Sequence, residues 1–407
     1  MLLEILLFTV FGIGAGLSAG LLPGWHPNSV LAILLGSISF LAGFPVYAIT
    51  AFIVSLSITN SVSGFLPSIL FGAPDDSTEL SVMPGQQMMM EGKAYEALFL
   101  TVVGGVGVVV LSILAFPLLL YLLPLLYNNI SSYIHYILIF VVLWMIFSEK
   151  NKGVFYATLI FFFSGIFGVI SLASFPSVSI FPALTGLFGI SGMLLSFGSQ
   201  DRIPKQIVDQ KEIQVSFKGI FTGWIAGLLV GILPGIGSSQ AGVIASNLFK
   251  VKAKDFLTAL GGINTSNIFF TLIAFFSLGK TRSGAAAAIS EIITTPTFYD
   301  LIFIVLIGLT TVFVAAIITL KTGKFIIKRI ENTNYNKLNI AIMVLLIFLV
   351  IIFSGAIGLL ILFIGTFIGI LASLFRIKKS SMMGFFLLPT ILYFSGLSPV
   401  FFVFLGL

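Results

Sequence analysis

The sequence contains no cysteine, only two histidines and few charged residues. The lack of cysteine excludes disulfide bonds, thiolate zinc sites and cysteine nucleophiles. The two histidines, His26 and His135, are too few for a histidine-based metal cluster. Charged residues make up 8% of the chain and hydrophobic residues 58%, whereas soluble domains carry roughly 25% charged residues. This composition predicts an integral protein that crosses the cell membrane several times.

The apolar stretches are long runs and do not alternate between apolar and polar residues as barrel strands do. We therefore predict an all-α membrane fold of roughly ten to twelve membrane elements, since a membrane helix needs about 20 apolar residues. The net charge of +6 is interpreted as orienting the chain in the lipid membrane, and no nucleic-acid partner is predicted.

The most informative feature is a stretch that occurs twice. Glycines at every fourth position precede Leu-Pro-Gly, and the copy lies 211 residues further on. The two sets are Gly12, Gly16, Gly20, Pro23 and Gly24, and Gly223, Gly227, Gly231, Pro234 and Gly235. Glycines four residues apart share one helix face and favour close packing, after which Pro-Gly breaks the helix. A broken apolar helix at corresponding positions of two halves is typical of a transporter site.

A second element repeats in the same order. Asn60 is followed twelve residues later by Gly72, and Asn267 is followed twelve residues later by Gly279. This offset is 207, four residues less than that of the glycine stretch. The sequence therefore predicts a first transmembrane repeat at 1–198, a cytoplasmic linker at 199–217 and a second transmembrane repeat at 218–407.

Lysine and arginine set the predicted topology. Of the 20 such residues, 17 lie in five clusters, at 150–152, 202–218, 250–254, 321–337 and 376–379. All five face the cytoplasm if both Pro-Gly stretches, and the polar stretches 72–93 and 280–293, are hairpins that enter and leave on one side. An odd number of crossings then separates the copies, so the predicted structural repeat is inverted, with re-entrant Pro-Gly hairpins and discontinuous helices. One miscounted hairpin would make the repeat parallel.

The stretches after Gly72 and Gly279 carry opposite charges. The first holds Asp75 and Asp76, and the second holds Lys280 and Arg282. Ionisable groups inside a membrane are costly and are usually paired or functional. We hypothesise that the two bases attract or bind an anionic substrate, and that the two acids either neutralise them or take a coupling cation, Na⁺ or H⁺. The alternative is that both stretches are interfacial loops with solvated charges.

Polar residues beyond the breaks and within the apolar spans complete the candidate site. Freed N–H groups at the start of a half-helix suit a carboxylate, while asparagines within a span either line the pathway or hydrogen-bond between helices. The candidate substrate-binding residues are Pro23, Gly24, Asn28, Ser29, Asn60, Gly72, Pro74, Ser77, Pro234, Gly235, Ser238, Ser239, Asn264, Asn267, Lys280, Arg282 and Ser283. The ladder glycines themselves are assigned to helix packing.

No catalytic residue, metal site or organic cofactor is predicted. A membrane serine protease needs a Ser/His pair, and an aspartyl protease of this kind needs a Gly-x-Gly-Asp motif, which the sequence lacks. The alternatives to a transporter are an anion channel, which could use the same Lys280 and Arg282, and a structural or assembly membrane protein.

At these motifs the chain resembles the large membrane subunit of the tripartite tricarboxylate transporters, the TctA family. The resemblance is carried by 227–237 and its first-half twin, and by 68–84, 92–98 and 182–190, and it spans most of 10–293. Val82, Met83 and Pro84 stand where the family has Asp-Gly-Tyr-Pro, and Gly279 is followed by Lys-Thr-Arg-Ser where the family tends to have Ile-Pro-Gly-Ser.

The resemblance implies a secondary transporter that moves small organic anions, carboxylates in particular, by alternating access and is driven by an ion gradient. It also implies a small membrane subunit and an extracytoplasmic binding protein as partners. The sequence leaves open whether the chain pairs with a second copy of itself. The departures from the family pattern put the selectivity of this chain at the charged residues Asp75, Asp76, Lys280 and Arg282.

Overall fold

The structure is a computed structural model that describes residues 1–24, 27–36, 43–75, 77–196, 202–208, 212–232, 237–249, 251–279, 281 and 283–405. Within these ranges the regular elements are helices, and the one isolated β-bridge joins Arg202 to Asn334. The prediction of an all-α fold is therefore confirmed.

The helices follow one another in two runs. The first run is α1 (Leu2–Leu21), α2 (Pro27–Gly36), α3 (Val46–Ser63), α4 (Phe65–Phe71), α5 (Val82–Met90), α6 (Ala94–Leu114), α7 (Phe116–Ile130), α8 (Ile134–Phe147), α9 (Gly153–Ser174) and α10 (Ile180–Ser196). The second run is α11 (Phe217–Ile232), α12 (Ser238–Phe249), α13 (Ala253–Leu278), α14 (Gly284–Ile292), α15 (Phe298–Ile330), α16 (Tyr335–Leu374), α17 (Gly384–Phe394) and α18 (Ser398–Leu405).

Seven spans in the described ranges are long and apolar enough to cross a membrane: α1, α3 with α4, α6, α9, α13, α15 and α16. An eighth follows if α7 and α8, which meet at a bend of 85°, count as one broken span. The predicted multi-pass membrane protein is confirmed at this level. Shorter helices such as α2, α12 and α14, with 10, 12 and 9 residues, are too short to cross a bilayer alone.

Two long apolar runs of the sequence are interrupted in the structure. The run 95–124 predicts one span, but the helix ends at Leu114 and a new helix starts at Phe116. Pro117 explains this break, because its ring would clash with the carbonyl four residues earlier and it has no N–H to donate. The sequence predicts two spans at 338–354 and 356–375, and α16 does consist of two helices joined across a kink at Gly355, whose φ of 60° leaves the helical region. The described part of 382–407 holds two short helices, α17 and α18.

The glycines of the repeated stretch lie where two helices touch. α1 packs along α3, and α11 packs along α13. A β-carbon on Gly12 would lie 2.6 Å from the carbonyl oxygen of Phe52, and one on Gly223 would lie 2.9 Å from that of Ala259. The equivalent contacts are Gly12 with Phe52 and Gly223 with Ala259, Gly16 with Thr59 and Gly227 with Ser266, and Gly20 with Ser63 and Gly231 with Phe270. The contacted residues are 207 positions apart in every case, so one helix contact occurs in both halves.

Each half also contributes a helix that packs against the other half. α6 of the first half packs along α13, and α15 of the second half packs along α3. The hydroxyl groups of Ser55 and Thr311 lie 3.0 Å apart in the second of these contacts. In the first contact, Val108 lies against Gly262. Val108 is 203 residues before Thr311 and Gly262 is 207 residues after Ser55, so the two pairs occupy equivalent places. The two halves are therefore interlocked through these two helix contacts.

The described parts of the basic clusters lie at one end of the molecule. The side chain of Gln206, in the linker, donates to the carbonyl of Met89 at 2.9 Å and accepts from the N–H of Ala94 at 3.0 Å. Ile203 donates to the carbonyl of Thr333 at 3.0 Å, beside the loop that joins α15 to α16. Two further contacts reach the other clusters, from Glu96 to Lys254 and from Glu149 to the N–H of Lys378. This is the end that the sequence predicts to face the cytoplasm.

The Glu96–Lys254 ion pair joins the first turn of α6 to the first turn of α13. The Glu96 side chain is 3% exposed and that of Lys254 is 52% exposed. At the first turns of α3 and α15, Tyr47 donates a hydrogen bond of 2.8 Å to Asp300. Tyr47 and Lys254 are 207 residues apart. At both contacts between the halves, an acidic residue in the first turn of α6 or α15 is therefore bound by a residue of the other half.

We expect Lys254→Met to destabilise the protein, because it leaves the Glu96 carboxylate buried without its partner. The expected loss is about 1–3 kcal/mol in the free energy of unfolding, the cost of an unsatisfied buried group. Thermal unfolding of the purified protein in detergent measures it. Lys252→Met is the matched control, since Lys252 is exposed. Equal unfolding temperatures for the two variants would show that the ion pair contributes nothing.

Candidate functional site

A cavity of about 230 Å³ lies between the two halves. It is lined by Pro27, Asn28, Ser57, Asn60, Ser61, Asp75, Ser77, Gly237, Ser238, Asn264, Asn267, Ile268, Ser283, Gly284 and Ala285. We refer to it as the central cavity. Asn60 and Asn267 are each the fifteenth residue of a 26-residue span, which puts the cavity about 21 Å along helices of about 39 Å. The cavity is therefore near the middle of the membrane-spanning helices.

One pair of walls comes from corresponding faces of α3 and α13. Residues 57, 60 and 61 share a helix face, as do 264, 267 and 268, and each pair is 207 residues apart. Asn264 joins the walls, since its Nδ2 donates to the carbonyl of Ser61 at 2.9 Å and its Oδ1 accepts from Ser238 at 3.4 Å. The cavity thus lies where equivalent polar faces of the two halves meet.

Two asparagines in these walls each have a buried polar atom that makes no hydrogen bond with the described residues. Asn60 Nδ2 and Asn267 Oδ1 have no hydrogen-bond partner among the residues that the structure describes. A buried amide atom without a partner costs about 1–3 kcal/mol, so such atoms are uncommon unless a ligand or water uses them. Their equivalent positions in the two halves, on one cavity, indicate a binding surface rather than two unrelated packing defects.

The first turns of three helices form another part of the lining. α2 contributes Pro27 and Asn28, α12 contributes Ser238, and α14 contributes Gly284 behind its cap, Ser283. The N–H groups of a first turn have no partner inside the helix, and the helix dipole makes this end partially positive. Three such ends around one cavity create a setting that favours negative charge.

The side chains at these helix ends are held in place. Ser283 Oγ accepts from the N–H of Ala286 at 3.1 Å and from the hydroxyl of Thr271 at 3.1 Å. Gln240 Oε1 accepts from the N–H of Gly237 at 2.8 Å. Gly284 allows the Asn28 amide to approach, because a β-carbon there would overlap Asn28 Oδ1. The cavity is therefore preorganised on helix ends rather than on a loose loop.

The acidic stretch enters the cavity after a sharp turn. α4 ends at Gly72 with φ of 62°, and α13 ends at Gly279 with φ of 65°, so both halves use the same left-handed cap. Asp75 and Ser77 then line the cavity. The hydroxyl of Thr78 accepts from the N–H of Asp75 at 3.0 Å, which fixes the backbone of the turn. One carboxyl group is thus present beside the helix ends.

The structure brings together eight of the residues predicted from the sequence: Asn28, Asn60, Asp75, Ser77, Ser238, Asn264, Asn267 and Ser283. Pro23, Gly24, Gly72, Pro74 and Ser239 are not part of this lining, and Gly24 instead lies against the ring of Phe181. Asp76, Pro234, Gly235, Lys280 and Arg282 lie outside the described residues, as does the side chain of Ser29.

Sequence reasoning missed Ser57 and Ser61 in the cavity wall. Both lie on the helix face of Asn60, three residues before it and one after it. The offset of 207 already pairs Ser57 with Asn264, so applying it to the whole helix face would have found them. Among the described residues, no group of three or more histidine, aspartate or glutamate side chains could hold a metal ion.

Comparison with known proteins agrees with this architecture. The family model of the tripartite tricarboxylate transporter TctA family matches residues 6–384. An uncharacterized protein of Methanocaldococcus jannaschii is 32% identical over 401 residues, which cover 96% of this chain and 98% of the relative. No solved structure matches the chain. The family match covers nearly the whole chain and confirms the resemblance seen in the motifs, so this protein belongs to the tripartite tricarboxylate transporter TctA family.

Proposed function

We propose that the protein is a secondary active transporter that carries small organic anions, carboxylates in particular, through the central cavity. The observation that supports this most is the meeting of three helix N-termini with Asn60 and Asn267 at mid-membrane depth. Helix ends and amide groups bind a carboxylate without a neutralising metal. Midplane sites formed by discontinuous helices are the common arrangement in secondary transporters.

The size of the cavity supports a small substrate. Its volume of about 230 Å³ is below the roughly 300–1,000 Å³ of pockets that hold drug-sized ligands. Lys280 and Arg282, by their place in the sequence, add the positive charge that attracts a di- or tricarboxylate. The N–H groups of the helix ends and the Nδ2 of Asn60 then donate hydrogen bonds to one carboxylate group.

Alternating access follows from the matched halves. The contacts of α1 with α3 recur between α11 and α13, so rocking of one half against the other changes which end of the cavity is open. In this proposal the repeat is inverted and the two Pro-Gly stretches are re-entrant hairpins. Asp75 and Asp76 take the coupling ion, Na⁺ or H⁺, because carboxylates bind either cation.

The family name is also the basis for the proposed partners. A tripartite transporter has two further components, which we propose are a small membrane subunit and an extracytoplasmic binding protein. The binding protein would deliver the anion to the end of the molecule that lies opposite the basic clusters.

Uptake into proteoliposomes tests the proposal. We expect the reconstituted chain to accumulate radiolabelled citrate or succinate above the external concentration when a Na⁺ or H⁺ gradient is imposed, because coupled transport uses the energy of the gradient. An ionophore that collapses the gradient should abolish the accumulation, and protein-free liposomes are the control.

An anion channel is the rival outcome of this experiment. A channel would bring the labelled anion only to equal concentrations on both sides, whatever gradient is imposed. Equilibration that is indifferent to both ion gradients would therefore contradict secondary active transport.

A further inference from the structure

The stretch after α4 also borders two other cavities, on the side of the basic clusters. Gly72 lines a cavity of about 300 Å³, and Glu79 lines an adjoining one of about 430 Å³. Val82, Met83, Phe188 and Lys379 line both. Since Asp75 and Ser77 line the central cavity, residues 72–75 and 77–79 lie between it and these two cavities.

Lys379 is the only charged residue that the structure places in the wall of the 300 Å³ cavity, within the described ranges. The other polar side chains there are Gln86, Ser196, Tyr335 and Ser373. We refer to this space as the Lys379 cavity. It differs from its neighbour, where the carboxyl group of Glu79 is also present.

The ammonium group of Lys379 has no partner of its own. No carboxylate lies within 4.0 Å of it and no hydrogen bond engages it, among the described residues. Burial lowers the pKa of Lys379, because desolvation penalises the charged form. Lys379 is half-buried, and a partly desolvated charge without a partner costs free energy that an anion would offset.

The neighbouring groups are already engaged, which leaves Lys379 as the free donor. The hydroxyl of Tyr335 donates to Gln86 Oε1 at 3.2 Å, and Gln86 Nε2 donates to the carbonyl of Ile69 at 3.1 Å. Ser373 donates to the carbonyl of Gly369 at 3.1 Å. These bonds fix the polar side chains that line the same cavity as the Lys379 ammonium group, which suits a small anion site.

Lys378 next to it provides a contrast. Its ammonium group donates to the hydroxyl of Ser148 at 2.9 Å, and its N–H donates to Glu149 Oε1 at 2.9 Å. Lys378 is exposed and its hydrogen bonds join it to the loop after α8, whereas Lys379 lines the cavity. Lys378 and Lys379 therefore have different environments, although they are adjacent in one basic cluster.

We propose that the Lys379 cavity is a second anion site, which binds a carboxylate group of the transported anion at the cytoplasmic end of its path. This inference rests on the proposed function, since it assigns the anion that leaves the central cavity to a second position. Residues 72–75 and 77–79 then lie between the two positions.

Site-directed cysteine labelling tests this directly, because the native chain has no cysteine to react. Ser373→Cys puts one thiol in the Lys379 cavity of the full-length protein. We expect a sulfonate-bearing methanethiosulfonate to react with it faster than a trimethylammonium-bearing one. Lys379→Gln in the same background should lower that rate ratio about tenfold, because a nearby positive charge attracts the anionic reagent. Lys378→Gln is the control and should leave the ratio unchanged.

Protection by anions separates the possible results. Citrate or succinate should slow labelling of Ser373→Cys, and inorganic phosphate should not; the protection should disappear with Lys379→Gln. An unchanged reagent ratio in Lys379→Gln, or equal protection by phosphate, overturns the proposal. Ser57→Cys in the central cavity is the parallel probe of the proposed function. Protection at Ser57→Cys alone overturns the second site only, whereas no protection at either thiol overturns the proposed function as well.

Discussion

Replacing Asn60 by leucine is expected to lower carboxylate uptake at least about tenfold while the protein stays folded. Asn60 supplies a buried amide to the central cavity, where its Nδ2, a hydrogen-bond donor, has no partner among the described residues. A hydrogen bond to a charged group contributes about 1.5–3 kcal/mol, and 1.4 kcal/mol corresponds to a tenfold change in binding. Initial uptake rates in proteoliposomes, normalised to the amount of reconstituted protein, measure the effect.

Folding and function respond differently to this substitution. Removing a buried polar atom that lacks a protein partner does not destabilise the fold, so the unfolding temperature of Asn60→Leu should equal or exceed that of the native protein. Asn129→Leu is the matched control, because the Asn129 amide is exposed and donates to the carbonyl of Leu125 within α7. If Asn60→Leu takes up carboxylate as fast as Asn129→Leu does, the central cavity is not the substrate site.

Replacing Gly104 or Gly261 by alanine is expected to abolish stable folding. A β-carbon on Gly104 would overlap the carbonyl oxygen of Thr258, and one on Gly261 would overlap that of Thr101. Both clashes involve backbone, which cannot move aside without separating α6 from α13. Overpacking of this kind costs about 1–3 kcal/mol or more, and here the contact joins the two halves. Thermal unfolding and size-exclusion chromatography in detergent should show a large loss of monodisperse protein.

Gly14→Ala is the control for this prediction. Gly14 lies in α1, and a β-carbon there would meet nothing within 4 Å. Alanine favours a helix by about 1 kcal/mol over glycine, so this variant should be at least as stable as the native protein. The same substitution is thus expected to act with opposite signs at two helical glycines. An unchanged unfolding temperature for Gly104→Ala would mean that α6 and α13 do not pack as the structure has them.

Local pattern was enough to find the polar half of the central cavity. Asn28, Asn60, Ser238, Asn264 and Asn267 stand out because they interrupt apolar runs or follow a break, and their spacing recurs at fixed offsets. The packing role of the repeated glycines could also be predicted, since glycine at every fourth position of an apolar helix favours close helix packing. Membrane insertion restricts the backbone to helices and closed barrels, and the long apolar runs do not alternate as barrel strands do, which is why the all-α fold could be predicted.

Contacts between the halves could not be predicted in this way. The packing of α6 on α13 and of α15 on α3 brings together residues such as Ser55 and Thr311, 256 positions apart, and no local period records that pairing. The Lys379 cavity is likewise formed by distant segments. In the sequence Lys379 is one member of a basic cluster, which predicts a solvated loop rather than an inward charge.

Isothermal titration calorimetry of the purified chain in detergent tests the central claim most directly. Citrate, succinate and acetate would each be titrated into the native protein, Asn60→Leu and Asn129→Leu. We expect at least one of the di- or tricarboxylates to bind the native protein and Asn129→Leu equally, and to bind Asn60→Leu at least about tenfold more weakly. Equal affinity in all three proteins would contradict a carboxylate site in the central cavity.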